Sequence, residues 1–281
     1  MRIDENVRKC VAFVALRMND GTFRFMGSAF WLGRDVPGQT QTTRMYLVTA
    51  RHVIDGIRKT GIDKVWLRLN HTDGSSKWAS TELSQWYVHP SDPTADVAIL
   101  EAVVPPGCDH LVVPFSLCLT PEAAAANEVS LGDEVFVVGL FAHHYGEQRN
   151  IPIVRVGNLA ARDEEKLNSR EFGKMDAYLI EARSIGGLSG SPVFLNLGLT
   201  RIIEGQFKQA NGSITFLLGL VHGHYDVDAS KVDAPTEQAN RVNTGIAIVV
   251  PVHTVMAVIG RYERDRGAPT ASIVEESSAS P

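Results

Sequence analysis

Short apolar runs recur along most of the chain, separated by Gly, Asp, Asn and Pro. Runs of this length, rich in Val, Ile, Phe, Leu and Tyr, are typical of β-strands. Two of them, CVAFVALRM and FRFMGSAFWLG, flank the turn sequence NDGT and predict a β-hairpin. The other predicted strands lie in MYLVTARHVI, KVWLRLN, QWYVHP, DVAILEAV, EVFVVGLF, IPIVRVGNLAA, AYLIEA, SPVFL, IIEGQF, TFLLGLVHG and GIAIVVP.

Helical patterns are few. PEAAAANE at 121–128 predicts a short helix with proline at its start, and RHVIDGIRKTG can form one or two turns after a strand. Near the C-terminal end, a three-to-four spacing predicts an amphipathic helix through Val252, Val255, Met256, Ile259 and Tyr262. Many strands with sparse helices exclude an alternating βα fold. The pattern favours an all-β protein of two antiparallel barrels or sandwiches.

A proline-containing connection and the small, polar C-terminal residues suggest where these units end. We expect one unit over residues 1–118, a second over 119–263, and a disordered tail over 264–281, where the residues are mostly small and polar. Two further polar stretches, 162–176 and 226–243, predict long loops, which are often functional in compact domains.

Composition excludes several classes of protein. The 281 residues are 44% hydrophobic and 21% charged, with a net charge of −5, so no basic surface for nucleic acid is expected. No run approaches the roughly 20 apolar residues of a membrane span, and the N-terminal segment lacks the pattern of a secretory signal. The three cysteines, Cys10, Cys108 and Cys118, have no metal or disulfide spacing. We therefore expect a reduced, cytoplasmic protein, with its oligomeric state left open.

Three segments carry candidate chemistry. LVTARHVI places His52 where a strand gives way to a polar turn, DPTADVAIL places Asp96 directly before a strand, and GGLSGSPVF places Ser189 among glycines. Each residue alone is more often structural than catalytic. Acyl transfer by a serine needs a base, a carboxylate that orients the base, and N–H donors for the oxyanion. The three segments together supply these residue types in the order His, Asp, Ser.

In these segments the chain resembles the trypsin-like serine peptidases, and among them the bacterial Deg/HtrA-like branch. VTARHVI, DPTADVAIL and GGLSGSP resemble the segments around the histidine, the aspartate and the serine of that branch. Weaker similarities lie in GSAFWLG, LGDEVFVVG and GIAIVVPVHTVMAVI. The resemblance covers about residues 10–262 and includes no PDZ domain.

This resemblance implies a chymotrypsin-like pair of six-stranded antiparallel β-barrels with a short C-terminal helix. Ser189 would be the nucleophile, His52 the general base and then acid, and Asp96 the residue that orients the imidazole. The backbone N–H groups of Gly187 and Ser189 would form the oxyanion hole. The implied activity is that of a serine endopeptidase acting on polypeptides through an acyl-enzyme, without a cofactor.

The implied substrate pocket includes Arg183, six residues before the nucleophile, together with His222 and His224 on the opposite wall. No Asp or Glu occurs in the seven residues before Ser189, so cleavage after Lys or Arg is not expected. A cation at Arg183 could attract an acidic side chain. If Arg183 instead points to solvent, the pocket would accept small aliphatic residues.

Other interpretations carry less weight. An α/β-hydrolase could use Ser189, Asp226 or Asp228, and His253, but the chain lacks helices between parallel strands and the final glycine of G-x-S-x-G. Metal binding by His143, His144 and Glu147, or by His222, His224 and Asp226, matches no zinc spacing, so no metal is expected. The main alternative is a trypsin-like module that binds peptides or signals without hydrolysing them.

Overall fold

The computed structural model describes residues 3–36, 38, 43–169, 171–182, 187–209, 214–228, 241–265 and 273–275. The strands of the first half are β1 (Val11–Arg17), β2 (Phe23–Asp35), β3 (Thr43–Thr49), β4 (Lys64–Asn70), β5 (Ser76–Glu82), β6 (Tyr87–Val88), β7 (Ala98–Glu101) and β8 (Val113–Pro114). Those of the second half are β9 (Glu134–Gly139), β10 (Ile153–Ala161), β11 (Leu167–Ser169), β12 (Gly173–Met175), β13 (Tyr178–Glu181), β14 (Pro192–Asn196), β15 (Thr200–Ile203), β16 (Gln206–Gln209), β17 (Thr215–Asp228) and β18 (Arg241–Pro251). A final strand, β19, spans Val274–Glu275.

The helices are short and few, as the pattern predicts. They are α1 (Arg51–Arg58), α2 (Pro121–Ala126) and α3 (Val252–Asp265), with 3-10 turns at Glu5–Cys10, Leu83–Gln85, Phe115–Leu117 and Ala142–His144. Thr120 caps α2 by accepting the backbone N–H of Ala123, and proline occupies the start of the helix. Within the described residues, no helix combines the length and apolar character that crossing a bilayer requires.

The second half is a closed barrel of six strands in the order β10-β13-β18-β17-β14-β9, as the resemblance implies. The register pairs Val193 of β14 with Val137 of β9 on one side and with Gly219 of β17 on the other. The barrel interior is filled by fully buried aliphatic side chains such as Val135, Leu195 and Val249. This half therefore supplies a rigid frame for the segment that enters β14.

The first half is a sheet of nine strands, in which six neighbouring strands follow the order β5-β4-β1-β2-β3-β7. Two short strands extend its ends, β19 beside β5 and β6 beside β7, and β8 pairs in parallel with β2. Strand β5 was not predicted, because SKWASTE is too polar to show a strand pattern. Its seven residues nevertheless pair one for one with β4.

Several segments differ from their predicted structure. The stretch 162–176 contains the hairpin of β11 and β12, and IIEGQF is a second hairpin, β15–β16, instead of one strand. Of the predicted loop 226–243, the ends belong to β17 and β18, and residues 229–240 lie outside the described part of the chain. Within the predicted tail, α3 extends to Asp265 and β19 pairs with β5.

The two halves share one hydrophobic core. Buried side chains of both sheets, of α1 and of α3 form a single cluster, with Phe30, Leu47 and Ile54 among those without exposed surface. The connection between the halves is already hydrogen-bonded to the second barrel at Leu119, whose backbone N–H donates to Leu217 O at 3.0 Å. The three cysteines form no disulfide among the described residues. The seam between the halves holds the candidate site.

Candidate active site

His52 and Asp96 meet through two hydrogen bonds. Strand β3 pairs with β7 so that Thr49 lies opposite Ala98, which brings Asp96 beside the start of α1. The backbone N–H of His52 donates to Asp96 Oδ1 at 2.9 Å, and Nδ1 of the ring donates to Oδ2 at 2.8 Å. Asp96 is completely buried and the His52 side chain is 23% exposed. The carboxylate thus orients an imidazole that is partly exposed.

The local sequence explains why α1 begins against this aspartate. The first N–H groups of a helix need acceptors, usually a side chain at the residue before the helix. That residue is Ala50, which has no acceptor. Asp96 fills the role from another segment, since its Oδ1 accepts the N–H of the second residue of α1. The same carboxylate therefore caps the helix and holds the ring of His52.

The charges of this pair are mutually stabilised. Burial by itself would raise the pKa of the Asp96 carboxyl, but the His52 charge and the hydrogen bonds from His222 and His52 hold it well below its usual range. Burial would likewise lower the pKa of His52, but the charge and hydrogen bond of Asp96 raise it above its ordinary value. Glu171 and Asp55 contribute to the same upward shift. Asp96 thus remains ionised beside the ring.

Ser189 lies in a tight segment that only glycines can form. Gly187 has φ of +103° and Gly190 has φ of +80°, in the region that other residues rarely adopt. A Cβ on Gly190 would lie 2.2 Å from Ser28 O and 2.4 Å from Thr49 Oγ1. The backbone beside Ser189 therefore packs directly against β2 and against the end of the strand that leads to His52.

Ser28 connects this segment to both halves. Its N–H donates to Ser189 O at 2.8 Å, and its carbonyl accepts from Thr49 Oγ1 at 2.7 Å. Its hydroxyl accepts from Leu140 N at 2.9 Å and donates to Gly187 O at 3.3 Å. Ser28 has no exposed surface. One buried serine thus joins the loops around His52 and Ser189.

A backbone hydrogen bond fixes the direction of one proposed oxyanion donor, the N–H of Ser189. Leu188 O accepts from Ser191 N at 2.9 Å. In a trans peptide the C=O and the following N–H point in opposite directions, so the Ser189 N–H is directed away from Ser191. The Gly187 N–H belongs to a peptide shared with Gly186, which lies outside the described residues.

The Ser189 hydroxyl has an unexpected partner. Its Oγ donates to the backbone carbonyl of His222 at 3.3 Å. In the part of the chain that the structure describes, no hydrogen bond joins this hydroxyl to the His52 ring. Ser189 is partly exposed, whereas Ser28 and Ser191 are fully buried.

His222 contacts the aspartate. Its side chain, which was expected on the wall of a substrate pocket, has Nδ1 2.6 Å from Asp96 Oδ2, the oxygen that also receives His52. The rings of His222 and His52 lie edge to face with centroids 5.4 Å apart. The pocket roles of His222, His224 and Arg183 remain predictions. His224 lies two positions further along β17, opposite Ala247, and Arg183 lies outside the described residues.

The side chains of His52, Asp96 and His222 are the one potential metal-binding group among the described residues. Ligand atoms of His52, Asp96 and His222 lie within 4.8 Å of one another. Both ring Nδ1 atoms are already hydrogen-bonded to the carboxylate, so the arrangement is that of a proton-bridged cluster. His143, His144 and Glu147 form no such group within the described chain, and the Asp226 side chain lies outside it.

A comparison with protein-family models identifies the chain. The model of the trypsin-like peptidase domain matches residues 27–199, a span that contains His52, Asp96 and Ser189. This protein belongs to the trypsin-like peptidase domain family. The predicted resemblance is thereby confirmed. A search of curated protein sequences gave no match.

A solved protease domain shares the fold of this chain. The MamO protease domain from Magnetospirillum magneticum, in its apo form, superposes with a TM-score of 0.50 at 15% identity, covering 90% of this chain and 97% of that one. Deg5 gives a TM-score of 0.47 at 17% identity, covering 90% and 88%. The inactive form of a serine-to-alanine mutant of Rv3671c from M. tuberculosis gives 0.48 at 17% identity, covering 93% and 90%.

Sequence reasoning missed two contributors to this site. GSAFWLG was noted as a weak similarity, but no local signal shows that Ser28 bonds to Leu140 and Gly187. His222 was noticed as a residue of the strand after the serine, yet its pairing with Asp96 spans 126 positions. Both contacts depend on how the halves meet.

Proposed function

We propose that this protein is a serine endopeptidase in which Ser189 is the nucleophile, His52 the general base and Asp96 the orienting carboxylate. The observation that carries the proposal is the double hydrogen bond from His52 to a completely buried Asp96. It holds Nδ1 protonated and leaves Nε2 as a proton acceptor, the form that a general base needs. Membership of the trypsin-like peptidase domain family supports the same activity.

The reaction follows from these roles. As Ser189 Oγ attacks the scissile carbonyl carbon, its proton passes to His52 Nε2, and the carbonyl oxygen becomes an oxyanion. His52 then gives that proton to the departing amine, leaving an acyl-enzyme on Oγ. A water molecule attacks the ester, again losing its proton to Nε2, and release of the acid returns the proton to Ser189. Asp96 stays ionised throughout.

Backbone donors would stabilise the oxyanion. We assign this role to the N–H groups of Gly187 and Ser189. The bonds from Ser28 to Gly187 O and Ser189 O, and from Ser191 to Leu188 O, restrict the peptides of this segment. Donors held in advance stabilise developing charge without reorganising during the reaction.

The proposed substrate is a polypeptide, without preference for Lys or Arg before the cleaved bond. The seven residues before Ser189 contain no carboxylate, and Arg183 would repel a basic side chain. Digestion of a peptide library, read by mass spectrometry, should show cleavage after small aliphatic or acidic residues. Predominant cleavage after Lys or Arg would refute this pocket assignment.

One observation favours a second candidate, a peptide-binding module that does not hydrolyse. The Ser189 hydroxyl donates to His222 O and not to His52. A serine side chain changes acceptor by rotating between staggered positions, and catalytic hydrogen bonds often form only with substrate bound. We therefore prefer the enzyme, and the two candidates differ in their reaction with an active-site reagent.

The test is the intact mass after treatment with a fluorophosphonate. We expect one adduct on the wild type and none on Ser189→Ala. Ser191→Ala is the matched control and should be labelled like the wild type, because Ser191 is fully buried beside the same glycine. Substitution of Ser189 should also lower turnover by about 10⁴-fold or more. A folded wild type that takes no label would support the binding module.

A further inference from the structure

The Asp96 carboxylate is hydrogen-bonded to two histidine rings. Its Oδ2 lies 2.8 Å from His52 Nδ1 and 2.6 Å from His222 Nδ1, while Oδ1 accepts the His52 backbone N–H. An ionised carboxylate only accepts hydrogen bonds, so both Nδ1 atoms carry protons. The carboxylate that orients His52 is therefore itself held by a donor from the other half of the molecule.

The second nitrogen of His222 continues the network outward. With Nδ1 bonded to Asp96, the other ring nitrogen, Nε2, lies 3.3 Å from Ser169 Oγ, within hydrogen-bonding distance. That hydroxyl also accepts from the backbone N–H groups of Glu171 and Phe172, at the turn of the β11–β12 hairpin. A chain of hydrogen bonds thus runs from Asp96 through His222 to this hairpin.

Packing restricts the ring of His222 from both sides. Its edge-to-face neighbours are His52 and Phe172, whose ring centroid lies 5.6 Å away at 77°. Phe172 also lies under the guanidinium of Arg51, the first residue of α1. The His222 side chain is only 11% exposed. Its orientation is therefore set by contacts with α1 and with the hairpin.

The backbone of His222 reaches the nucleophile. Its carbonyl accepts the Ser189 hydroxyl at 3.3 Å, on the residue whose imidazole bonds to Asp96. One residue thus contacts both ends of the proposed triad.

We propose that His222 is a positioning residue of this active site, whose imidazole holds the Asp96 carboxylate in the orientation that receives His52 and ties it to the β11–β12 hairpin through Ser169. The proposal rests on the proposed peptidase function. It departs from the sequence-based expectation, in which His222 lined the substrate pocket. A pocket residue would affect substrate binding, whereas a positioning residue affects the chemical step.

Two substitutions separate the contacts of the ring. The amide nitrogen of Asn can replace Nδ1, so His222→Asn keeps a donor for Asp96 and loses the contact with Ser169. His222→Ala loses both. We expect His222→Ala to lower kcat by about 10- to 100-fold with little change in KM, as when a buried charged acceptor loses a donor. The kcat of His222→Asn should stay much closer to that of the wild type. His143→Ala, which removes an exposed histidine that takes part in none of these hydrogen bonds, is the control.

A second measurement does not depend on catalysis. In the Ser189→Ala variant, proton NMR should show two downfield imidazole N–H signals, from His52 and His222, because strong hydrogen bonds to a carboxylate deshield the proton. Adding His222→Ala should remove one signal and shift the other, and adding His222→Asn should remove one signal and shift the other less. If the wild type takes no fluorophosphonate, the peptidase proposal fails, and these signals still decide whether His222 holds Asp96.

Three results would overturn the proposal. One is a rise in KM with kcat unchanged, which would return His222 to the substrate pocket. Another is an equal loss of kcat in His222→Ala and His222→Asn while both remain folded. The third is an unchanged His52 signal when His222 is replaced. If His222→Ala does not fold, His222→Asn and Ser169→Ala carry the test, and loss of the His222 signal without a shift at His52 contradicts it.

Discussion

At the scale of single residues, the site depends on one buried carboxylate and the hydrogen bonds that it accepts. Asp96 has no exposed surface, yet it stays ionised because His52 and His222 together outweigh the cost of burial. The same interaction acts on His52, whose protonated form is favoured by the neighbouring charge. The pH dependence of activity should therefore report this pair.

We expect activity to rise with pH through a pKa above the ordinary histidine value of 6.5, because His52 must lose its proton to act as a base and Asp96 holds that proton more tightly. The substitution Asp96→Asn removes the negative charge that raises the His52 pKa, while burial of the ring, which lowers this pKa, remains. The His52 pKa should then fall. NMR titration of the ring in Ser189→Ala, with and without Asp96→Asn, measures the change. An equal pKa in both variants would contradict the assignment of Asp96.

At the scale of elements, the segment 187–191 must pass very close to β2 and β3. Gly190 is where this approach is tightest, since its missing side chain leaves room for Ser28 O and Thr49 Oγ1. The entry into β14 is held by reciprocal bonds with β17, from Gly190 N to Val221 O and from Val221 N to Ser191 O. The close packing at Gly190 and these hydrogen bonds therefore fix both the place of the segment 187–191 and its backbone conformation.

Gly190→Ala should abolish labelling of Ser189 and destabilise the protein by more than backbone strain alone. Gly198→Ala is the matched control, because Gly198 also has a positive φ, +71°, but a Cβ there would meet nothing within 4 Å. The control should cost about 1–2 kcal/mol, the usual penalty for a side chain in this conformation. Chemical denaturation and fluorophosphonate labelling measure the two effects. Equal costs at both glycines would show that close packing at Gly190 does not matter.

At the scale of the whole molecule, α3 ties the two halves together. It follows directly from β18 of the closed barrel, but its last turns contact the first half. Glu263 accepts the hydroxyl of the fully buried Tyr46 at 2.8 Å and pairs with Arg34. Burial and the Glu263 carboxylate raise the pKa of Tyr46, so the hydroxyl remains protonated and donates. Tyr262 adds ring contacts to Tyr46 and Tyr87.

Glu263→Ala should lower the free energy of unfolding by about 1–3 kcal/mol, because it leaves the buried Tyr46 hydroxyl without its acceptor. Arg264→Ala, on the exposed side of the same turn, should change it by less than about 0.5 kcal/mol. Since both halves share one core, calorimetry should show a single transition that moves to lower temperature in Glu263→Ala. A wild type with two separate transitions would contradict this shared core.

Local pattern was sufficient for most strands and for the three helices, because strand and helix periodicity are properties of neighbouring residues, and the His, Asp and Ser segments pointed to the family by resemblance. KVWLRLN matches β4 residue for residue. Strand β5 could not be predicted in this way, since its polar residues become a strand only by pairing with β4. The partner of the Ser189 hydroxyl, the bridge through Ser28 and the second histidine on Asp96 were decided by tertiary structure alone. Each joins residues far apart in the chain, and their distances depend on how two separately formed sheets pack against each other.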